Sequence, residues 1–463
     1  MHVILLSGGS GQRLWPLSND SRSKQFLKVF PSDKESNLRI SMVQRVWQQL
    51  QRAHLADRTF ISTNQSQVDA ITNQLGSDLP LIIEPSRCDT YLAILLSSLY
   101  LYSIERVRPD EVVTVMPVDP YVKNDFFEHI KSLEYIVKHS TCDLALVGIQ
   151  PTFPSEKYGY IVPNCSEREK MNQDYQTVRY FKEKPNKKEA QELVNIGALW
   201  NGGVFAFKLE FILNHLELHG LPLNYDEMIY KYNSLPKISF DYEVVEKTED
   251  IVVVPYKGEW KDLGTWNTLT DEMGTHLVGN GCMSSDCKNV NIINELDIPV
   301  SVLGLSNLVV AVSPDGILVS DKEASSRVKE IINNYENRPM YEERRWGWYR
   351  VLDYTKFRDD YEVLTKRIAV MEGKNLSYQK HCYRHEVWTI ISGVGLFALD
   401  GHIKKVKPGD VLQIPAGGEH GVKAITDLEF IEVQNGSKLI EEDIVRLFMT
   451  WEEVEYYCKS IDH

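Results

Sequence analysis

The chain has 463 residues, enough for two to four domains, and its 43% hydrophobic and 25% charged residues are ordinary for a globular protein. Its formal net charge of −14, from Asp+Glu 65 against Lys+Arg 51, argues against nucleic acid as a partner, because an acidic surface repels a phosphate backbone. No apolar stretch reaches the length of a membrane span, so no membrane partner is expected. The 7 cysteines are scattered, odd in number and never spaced Cys-x-x-Cys, which fits a reduced, cytoplasmic setting.

The opening MHVILLSGG has an apolar run without a basic leader or a small-residue cleavage site. It reads as a buried first strand at 3–6, not a signal peptide. Short apolar runs then alternate with amphipathic stretches. The pattern predicts helices over 41–51, 67–75, 91–103 and 126–139, and strands over 59–62, 81–83, 112–117 and 144–149. That alternation implies a parallel, doubly wound sheet, which binds ligands beyond the carboxyl ends of its strands.

After about Trp266 the alternation stops. Residues 289–320 hold short apolar runs and read as a small all-β unit, and 325–335 reads as a connecting helix. Strand-like segments follow at 363–371, 386–392, 395–399, 411–414 and 430–434, punctuated by Gly373, Gly393, Asp400-Gly401, Pro408-Gly409 and Pro415. Many short strands between such turns suggest a β-barrel or jelly roll. The expected domains are 1–270, 271–345 and 346–463.

The first strand runs into SGGSGQRLWPLSNDSRSKQFL. A glycine-rich turn after a strand lets backbone N–H groups approach a polyphosphate, and Gly8, Gly9 and Gly11 supply one, with Arg13 and Lys24 adding positive charge. A P-loop is excluded because no Gly-Lys-Ser/Thr follows. A dinucleotide fingerprint is excluded because Trp15-Pro16 breaks any helix starting there. Taken alone, the loop serves equally well as a tight strand-to-helix connection.

The whole string resembles the signature of nucleotide-sugar pyrophosphorylases, GGxGxRLxPLS followed by a KQF-type element. RLWPLS and KQF are similar to the mannose-1-phosphate guanylyltransferase branch. More segments follow in the family's order as far as Trp266. EPSRCDT resembles the base-contacting segment, with Cys88 and Asp89 departing from the commoner Arg-Asn. VMPVDPYV resembles the LPADH strand end, with Pro120 in place of His. GIQPTFPSEKYGYI resembles GIxPTxPxTGYGYI; FKEKP, LWNGGVFAF, FDYEVVEKT and WKDLGTW resemble the later sugar and metal segments.

The resemblance implies a Rossmann-like, GT-A type α/β nucleotidyltransferase domain, then a small left-handed β-helix-like unit and a C-terminal cupin barrel. It implies GTP and mannose 1-phosphate as substrates, with GDP-mannose and pyrophosphate as products. On this reading Arg13, Lys24, Asp119 and Asp262 are catalytic, and the two aspartates hold Mg²⁺. Leu6, Gly8, Gly9, Gly11, Glu84, Arg87, Asp89 and Thr90 bind the nucleotide; Tyr158, Gly159, Glu183, Lys184, Asn201 and Asp241 bind the sugar phosphate. A strand-end carboxylate suits a hard cation, although a lone aspartate there is as readily a turn residue.

Four of the 12 histidines fall between His381 and His420. YQKHCYRHEVW and IPAGGEHGV resemble the phosphomannose isomerase-type cupin of bifunctional guanylyltransferases. The resemblance implies Gln379, His381, Glu386 and His420 as ligands of Zn²⁺ or another divalent metal. The family string QxHHHRAEHW carries more histidines, and Cys382, Tyr383 and Val387 stand at three of those places. Several alternatives stay open: another sugar 1-phosphate such as a manno-heptose, another nucleoside triphosphate, added mannose-6-phosphate isomerase activity, or a non-enzymatic nucleotide-sugar sensor or cupin scaffold. The small β unit is the candidate contact surface for a homodimer.

Overall fold

The computed structural model describes residues 1–9, 12–19, 21–32, 38–164, 174–332, 338–357, 361–440 and 443–461. They divide into two units. The first is Met1–Leu14, Ser23–Val68 and Leu75–Thr275; the second is Trp15–Arg22, Asp69–Gln74 and His276–His463. No helix among the described residues is long and apolar enough to cross a membrane.

In the first unit the run HVILL forms β1 (His2–Leu6), with Val3, Ile4 and Leu5 fully buried, as expected of a strand covered on both faces. In chain order follow α1 (Met42–Arg52), β2 (Thr59–Asn64), β3 (Leu81–Glu84), α2 (Asp89–Leu99), β4 (Val112–Pro117), β5 (Pro120–Val122), α3 (Asp125–His139) and β6 (Leu144–Ile149). Then come β7 (Tyr160–Pro163), β8 (Gln176–Lys182), β9 (Leu199–Lys208), β10 (Ile251–Tyr256) and β11 (Trp260–Asp262). Ser41 opens α1 with a reciprocal capping box to Gln44, which satisfies donors the helix would otherwise leave free. Helix α2, DTYLAILLSSL, is apolar almost all round, and every residue from Tyr91 to Leu99 is buried. It packs in the main core with Ile4, Val115, Phe205 and Phe240. Truncating its Leu95 to Ala would cost about 2–5 kcal/mol.

The nine-stranded sheet has the order β3-β2-β1-β4-β9-β6-β10-β8-β7. The expected parallel, doubly wound sheet is present in part, and the sheet is mixed. β3, β2, β1 and β4 are parallel, and so are β6 and β10, but β9 runs antiparallel to both β4 and β6. β7 and β8 are antiparallel as well. A pairing switch between strands of similar apolar composition leaves no trace in hydrophobic periodicity. Outside this sheet, β5 pairs with β11 in antiparallel register, setting Asp262 across from Pro120.

The second unit begins with short parallel coils. β12 (Leu277–Val278), β14 (Lys288–Asn294) and β16 (Ser306–Ser313) stack in parallel register. β13 (Gly281–Met283) stacks on β15 (Val300–Val302), and β17 (Gly316–Asp321) closes the edge antiparallel. Val290, Ile292, Val302, Val310 and Val312 fill these β-helix-like coils. The expected connecting helix at 325–335 is present over its described part as a 3₁₀ turn at Ala324–Arg327 and a helix at Val328–Ile332, and its positions 333–335 lie outside the described residues.

Two antiparallel sheets make the barrel. One has the order β18 (Tyr341–Arg344), β19 (Gly347–Lys356), β20 (Glu362–Val370), β27 (Leu428–Gly436), β22 (Arg384–Ser392), β25 (Val411–Ile414). The other runs β24 (His402–Val406), β23 (Gly395–Leu399), β26 (His420–Ala424), β21 (Tyr378–Lys380), β28 (Val445–Phe448). Strict alternation points every second side chain inward. At one end these are Ile368, Val370, Ile390, Leu428 and Phe430; at the other they are Lys366, Arg384, Glu386, Glu432 and Gln434, all buried.

Candidate active site

A cavity of about 400 Å³ opens over the carboxyl ends of β1, β3 and β4, where open α/β sheets place their ligands. Leu6, Ser7, Gly8 and Gly9 line it from the end of β1, Glu84 from β3, and Arg87, Cys88, Asp89, Thr90 and Ala93 from the entry to α2. Pro117, Val118 and Asp119 follow from β4, Lys157, Tyr158 and Gly159 precede β7, and Glu183 follows β8; Asn201, Gly203, Phe205 and Asp241 complete the wall.

The glycine turn is braced from behind. Gly9 O accepts from Ser23 Oγ at 2.6 Å and from Gln67 Nε2 at 3.2 Å, while Gln25 Nε2 donates to Ser7 Oγ at 3.2 Å. Beyond it lies a single 3₁₀ turn, Gln12–Leu14, with Arg13 exposed upon it, so no long helix begins there. Gly11 lies outside the described residues. Glu84 accepts from Tyr232 Oη at 2.9 Å and Ser62 Oγ at 3.2 Å, and burial pushes its carboxyl up. Asp89 adopts φ +67°, a left-handed conformation that Asp tolerates better than most residues, and accepts from the Thr90 amide at 2.7 Å. Thr90 Oγ1 accepts in turn from the Phe240 amide at 2.9 Å.

The charged centre sits where β4 ends. Lys24 Nζ lies 2.5 Å from Asp119 Oδ2 and 3.2 Å from Asp262 Oδ1. The β5–β11 pairing brings the second carboxylate there. Burial opposes the charge on Lys24, but the two aspartates outweigh it and hold the ammonium well above its usual range. Two carboxylates converging on one cation form a donor set that suits a hard divalent ion, with the Lys24 ammonium marking the place. Gly264 keeps that place open, since a Cβ there would meet Asp262 Oδ1 at 3.1 Å.

The far wall carries polar side chains able to hydrogen-bond hydroxyl groups. A register shift in β9 between Asn201 and Phe205 turns Asn201 aside, and its Nδ2 donates to Asp241 Oδ1 at 2.6 Å. Burial, and next the charge of Glu183, push the Asp241 carboxyl up to about 7. Gly159 is required, because a Cβ there would sit 2.5 Å from both Glu183 Oε2 and Phe181 Cζ. Tyr158 packs on Trp200 and Trp260, and burial with Asp262 pushes its phenol up to about 12. Lys184, at φ +41°, reaches back to Glu183 at 2.6 Å and is half exposed outside the cavity lining.

The polar end of the barrel gathers a second constellation. His381 Nδ1 donates to Asp443 O at 2.5 Å and His420 Nδ1 donates to Gly418 O at 3.0 Å, which turns both Nε2 atoms towards Glu386, and Arg384 Nη2 donates to His381 Nε2 at 3.2 Å. His381 Nε2 is 3.3 Å from Glu386 Oε1, and His420 Nε2 is 3.4 Å from Oε2 without a hydrogen-bond partner of its own. Two imidazoles whose tautomers are fixed by backbone carbonyls, converging with a carboxylate, form a donor set of the kind that can hold a divalent metal. Burial lowers His381 to about 4, keeping the ring neutral. Burial opposes ionisation of Glu386, but His420, His381 and Arg384 outweigh it and hold the carboxylate low. Gln379 Nε2 lies 3.3 Å from His381 Nε2, beside the converging His381, Glu386 and His420. Arg384 donates to Glu386 Oε1 at 3.0 Å, and Glu432 accepts from Trp388 Nε1 at 3.1 Å; neither was singled out in the sequence.

The Nucleotidyl transferase family model matches residues 2–277, and the Mannose-6-phosphate isomerase C-terminal model matches 333–448. A Salmonella muenchen mannose-1-phosphate guanylyltransferase is 30% identical, over 96% of this chain and 97% of its own. A Vibrio cholerae relative, provisionally named for the same activity, is 32% identical over 96% of this chain and 98% of its own. Among solved structures, a Thermus thermophilus protein described as a mannose-1-phosphate geranyltransferase matches with TM-score 0.60 and 28% identity, covering 73% of this chain and 99% of that one. The chain belongs to the nucleotidyl transferase family and is a two-part member of its mannose-1-phosphate guanylyltransferase branch, with an isomerase-type C-terminal barrel.

Proposed function

We propose that this enzyme transfers the guanylyl group of GTP to mannose 1-phosphate, giving GDP-mannose and pyrophosphate. The observation that carries the reading is Lys24 held between Asp119 and Asp262 at one end of a cavity whose other walls are a glycine turn and a cluster of hydroxyl-binding side chains. A phosphate oxygen of the sugar attacks the α-phosphorus, the bond to the bridging oxygen breaks, and pyrophosphate leaves. That oxygen is already ionised, so no strong base is needed. Positioning and charge neutralisation supply the catalysis.

Gly8 and Gly9 let the backbone approach the triphosphate, and Leu6, Glu84, Arg87, Asp89 and Thr90 surround the nucleoside. Asp119 and Asp262 would hold Mg²⁺, which supplies neutralising charge on phosphate oxygens. Lys24, released from the aspartates, and Arg13 would then meet the leaving pyrophosphate. Glu183, Asn201 and Asp241 orient the sugar, and Lys184 stands behind Glu183. A panel of nucleoside triphosphates and sugar 1-phosphates with pyrophosphate detection tests this. GTP with mannose 1-phosphate should give the highest kcat/KM; a higher value for another pair, such as a manno-heptose 1-phosphate, would replace the substrate assignment.

A second reading rests on the convergence of the His381 and His420 imidazoles on the Glu386 carboxylate. The barrel would hold Zn²⁺ or a similar ion on His381, Glu386 and His420 and interconvert fructose 6-phosphate and mannose 6-phosphate. Supplying fructose 6-phosphate with a series of divalent metals tests it, and absence of mannose 6-phosphate across the series removes it.

A further inference from the structure

We infer that Glu295 is a positioning residue for nucleotidyl transfer, acting through Arg22 on the placement of Lys24, a role that rests on the nucleotidyl-transfer reading above. That reading assigns Arg13 and Lys24 to the pyrophosphate. The segment that joins them, Trp15–Arg22, belongs with the β-helix-like coils in the second unit. It begins two residues after Arg13 and ends two residues before Lys24. Arg22 falls between RLWPLS and KQF, in a stretch to which the family resemblance assigns no role.

The segment is pinned to the coils along its length. The Trp15 indole lies against Gly316, where an added Cβ would meet the ring at 2.5 Å. Ser313 Oγ donates to Pro16 O at 2.6 Å. Asn19 Nδ2 donates to Asp315 Oδ2 at 2.7 Å, while Asn19 Oδ1 accepts from the Arg22 amide at 2.7 Å. At the end nearest Lys24, the buried Arg22 guanidinium donates twice to Glu295, Nη1 to Oε2 at 2.8 Å and Nη2 to Oε1 at 2.9 Å. Its Cζ also lies 5.0 Å from the centre of the Tyr341 ring. Glu295 directly follows β14, and its amide donates to Val312 O of β16 at 2.9 Å, so the coils carry the carboxylate.

A two-pronged arginine–carboxylate pair fixes direction as well as distance. Ser23, next in the chain, already donates to Gly9 O of the glycine turn, so Arg22 is the last anchor on the coils before Lys24. Neither Arg22 nor Glu295 lines the cavity, and their effect reaches the reaction through the backbone that leads to Lys24. Removing the charge of Glu295 leaves a buried guanidinium uncompensated, and the segment shifts to find it another partner. A displacement of about 1 Å is enough to weaken an aligned charge contact.

Kinetics of the full-length chain in reverse, with GDP-mannose and pyrophosphate giving GTP and mannose 1-phosphate, test the role. Glu295→Gln should raise KM for pyrophosphate about fivefold and leave KM for GDP-mannose within about twofold, because pyrophosphate is the substrate that meets Lys24. A pair that only held the fold together would lower the amount of active enzyme and move neither KM. Arg22→Lys keeps the charge but loses the two-pronged bond, so it should raise the same KM about threefold, and it takes the place of Glu295→Gln if circular dichroism shows that variant unfolded. Added to Lys24→Ala, Glu295→Gln should change KM for pyrophosphate less than about twofold, since the group it positions is gone. A folded variant with KM for pyrophosphate within twofold of wild type, an equal rise in both KM values, or a full rise in the Lys24→Ala background overturns the role of Glu295 alone. Absence of pyrophosphate-dependent nucleoside triphosphate formation by the wild-type protein from every nucleotide sugar overturns the underlying reading with it.

Discussion

The nucleotide cavity and the barrel centre both concentrate charge, and they treat it in opposite ways. In the cavity the side chains of Lys24, Asp119 and Asp262 are 21%, 27% and 33% exposed, so their pairing keeps partial access to solvent and to an arriving ligand. In the barrel His381, Glu386 and His420 are 2%, 1% and 0% exposed, and their mutual contacts must answer a large desolvation cost. The first arrangement suits a site whose internal cation and carboxylates exchange partners with an arriving polyanion. The second suits a fixed set of donors held ready for one small cation.

The comparison is broken most easily at Glu386. Glu386→Ala would leave the Arg384 guanidinium buried without its carboxylate, and removing one partner of such a pair costs about 3–5 kcal/mol of stability. Urea unfolding followed by circular dichroism measures it, and elemental analysis should show divalent-metal uptake lost alongside. A loss below about 1 kcal/mol would mean the barrel centre is solvated like the cavity.

Lys24→Ala gives the converse pattern. Its stability should fall less than that of Glu386→Ala, because Asp119 and Asp262 keep partial access to solvent, while kcat falls about 10²–10³-fold through lost charge stabilisation. Pyrophosphate release reads the second quantity; a kcat within about fivefold of wild type would separate Lys24 from the chemistry.

Helix and strand positions were legible where side-chain chemistry is periodic. The runs at 112–117 and 144–149 are the strands β4 and β6, residue for residue. The direction of β9 was not legible, because WNGGVFAF pairs equally well either way and only the tertiary connection decides. The motif segments, though far apart in sequence, meet at one cavity, but the groups that brace them do not announce themselves. Gln67 and Tyr232 act on Gly9 and Glu84 through long-range contacts that no local pattern encodes. The inward Glu432 and Gln434 did leave a signal. In LEFIEVQNG they share the period-2 face of Leu428 and Phe430, so a polar pair interrupts an otherwise apolar stripe.

The sugar wall can be probed by crowding. Gly159→Ala would bring a Cβ to 2.5 Å from Glu183 Oε2 and Phe181 Cζ, a clash that overpacked sites resolve at about 1–3 kcal/mol. Displacing Glu183 should raise KM for mannose 1-phosphate about tenfold and leave KM for GTP near wild type. An equal effect on both substrates would show that Glu183 serves the whole cavity and not its sugar end.

The smallest effect belongs to Asp241, and it turns on the sign of a proton equilibrium. Its carboxyl is pushed up to about 7, by burial first and by Glu183 next, against the ordinary aspartate value of 3.8. Between those values the folded protein holds a proton that the unfolded chain has released. The stability this contributes is complete below the unfolded value and is lost as pH rises through about 7. Asp241→Asn cannot titrate, yet it keeps an oxygen for the Asn201 amide. The Tm of wild type relative to Asp241→Asn should therefore fall from pH 5 to pH 8, by an amount on the order of 2 °C because the side chain is only half-buried. A constant difference over that range would make Asp241 an ordinary carboxylate, and the sugar wall as well solvated as the lysine-bridged centre beside it.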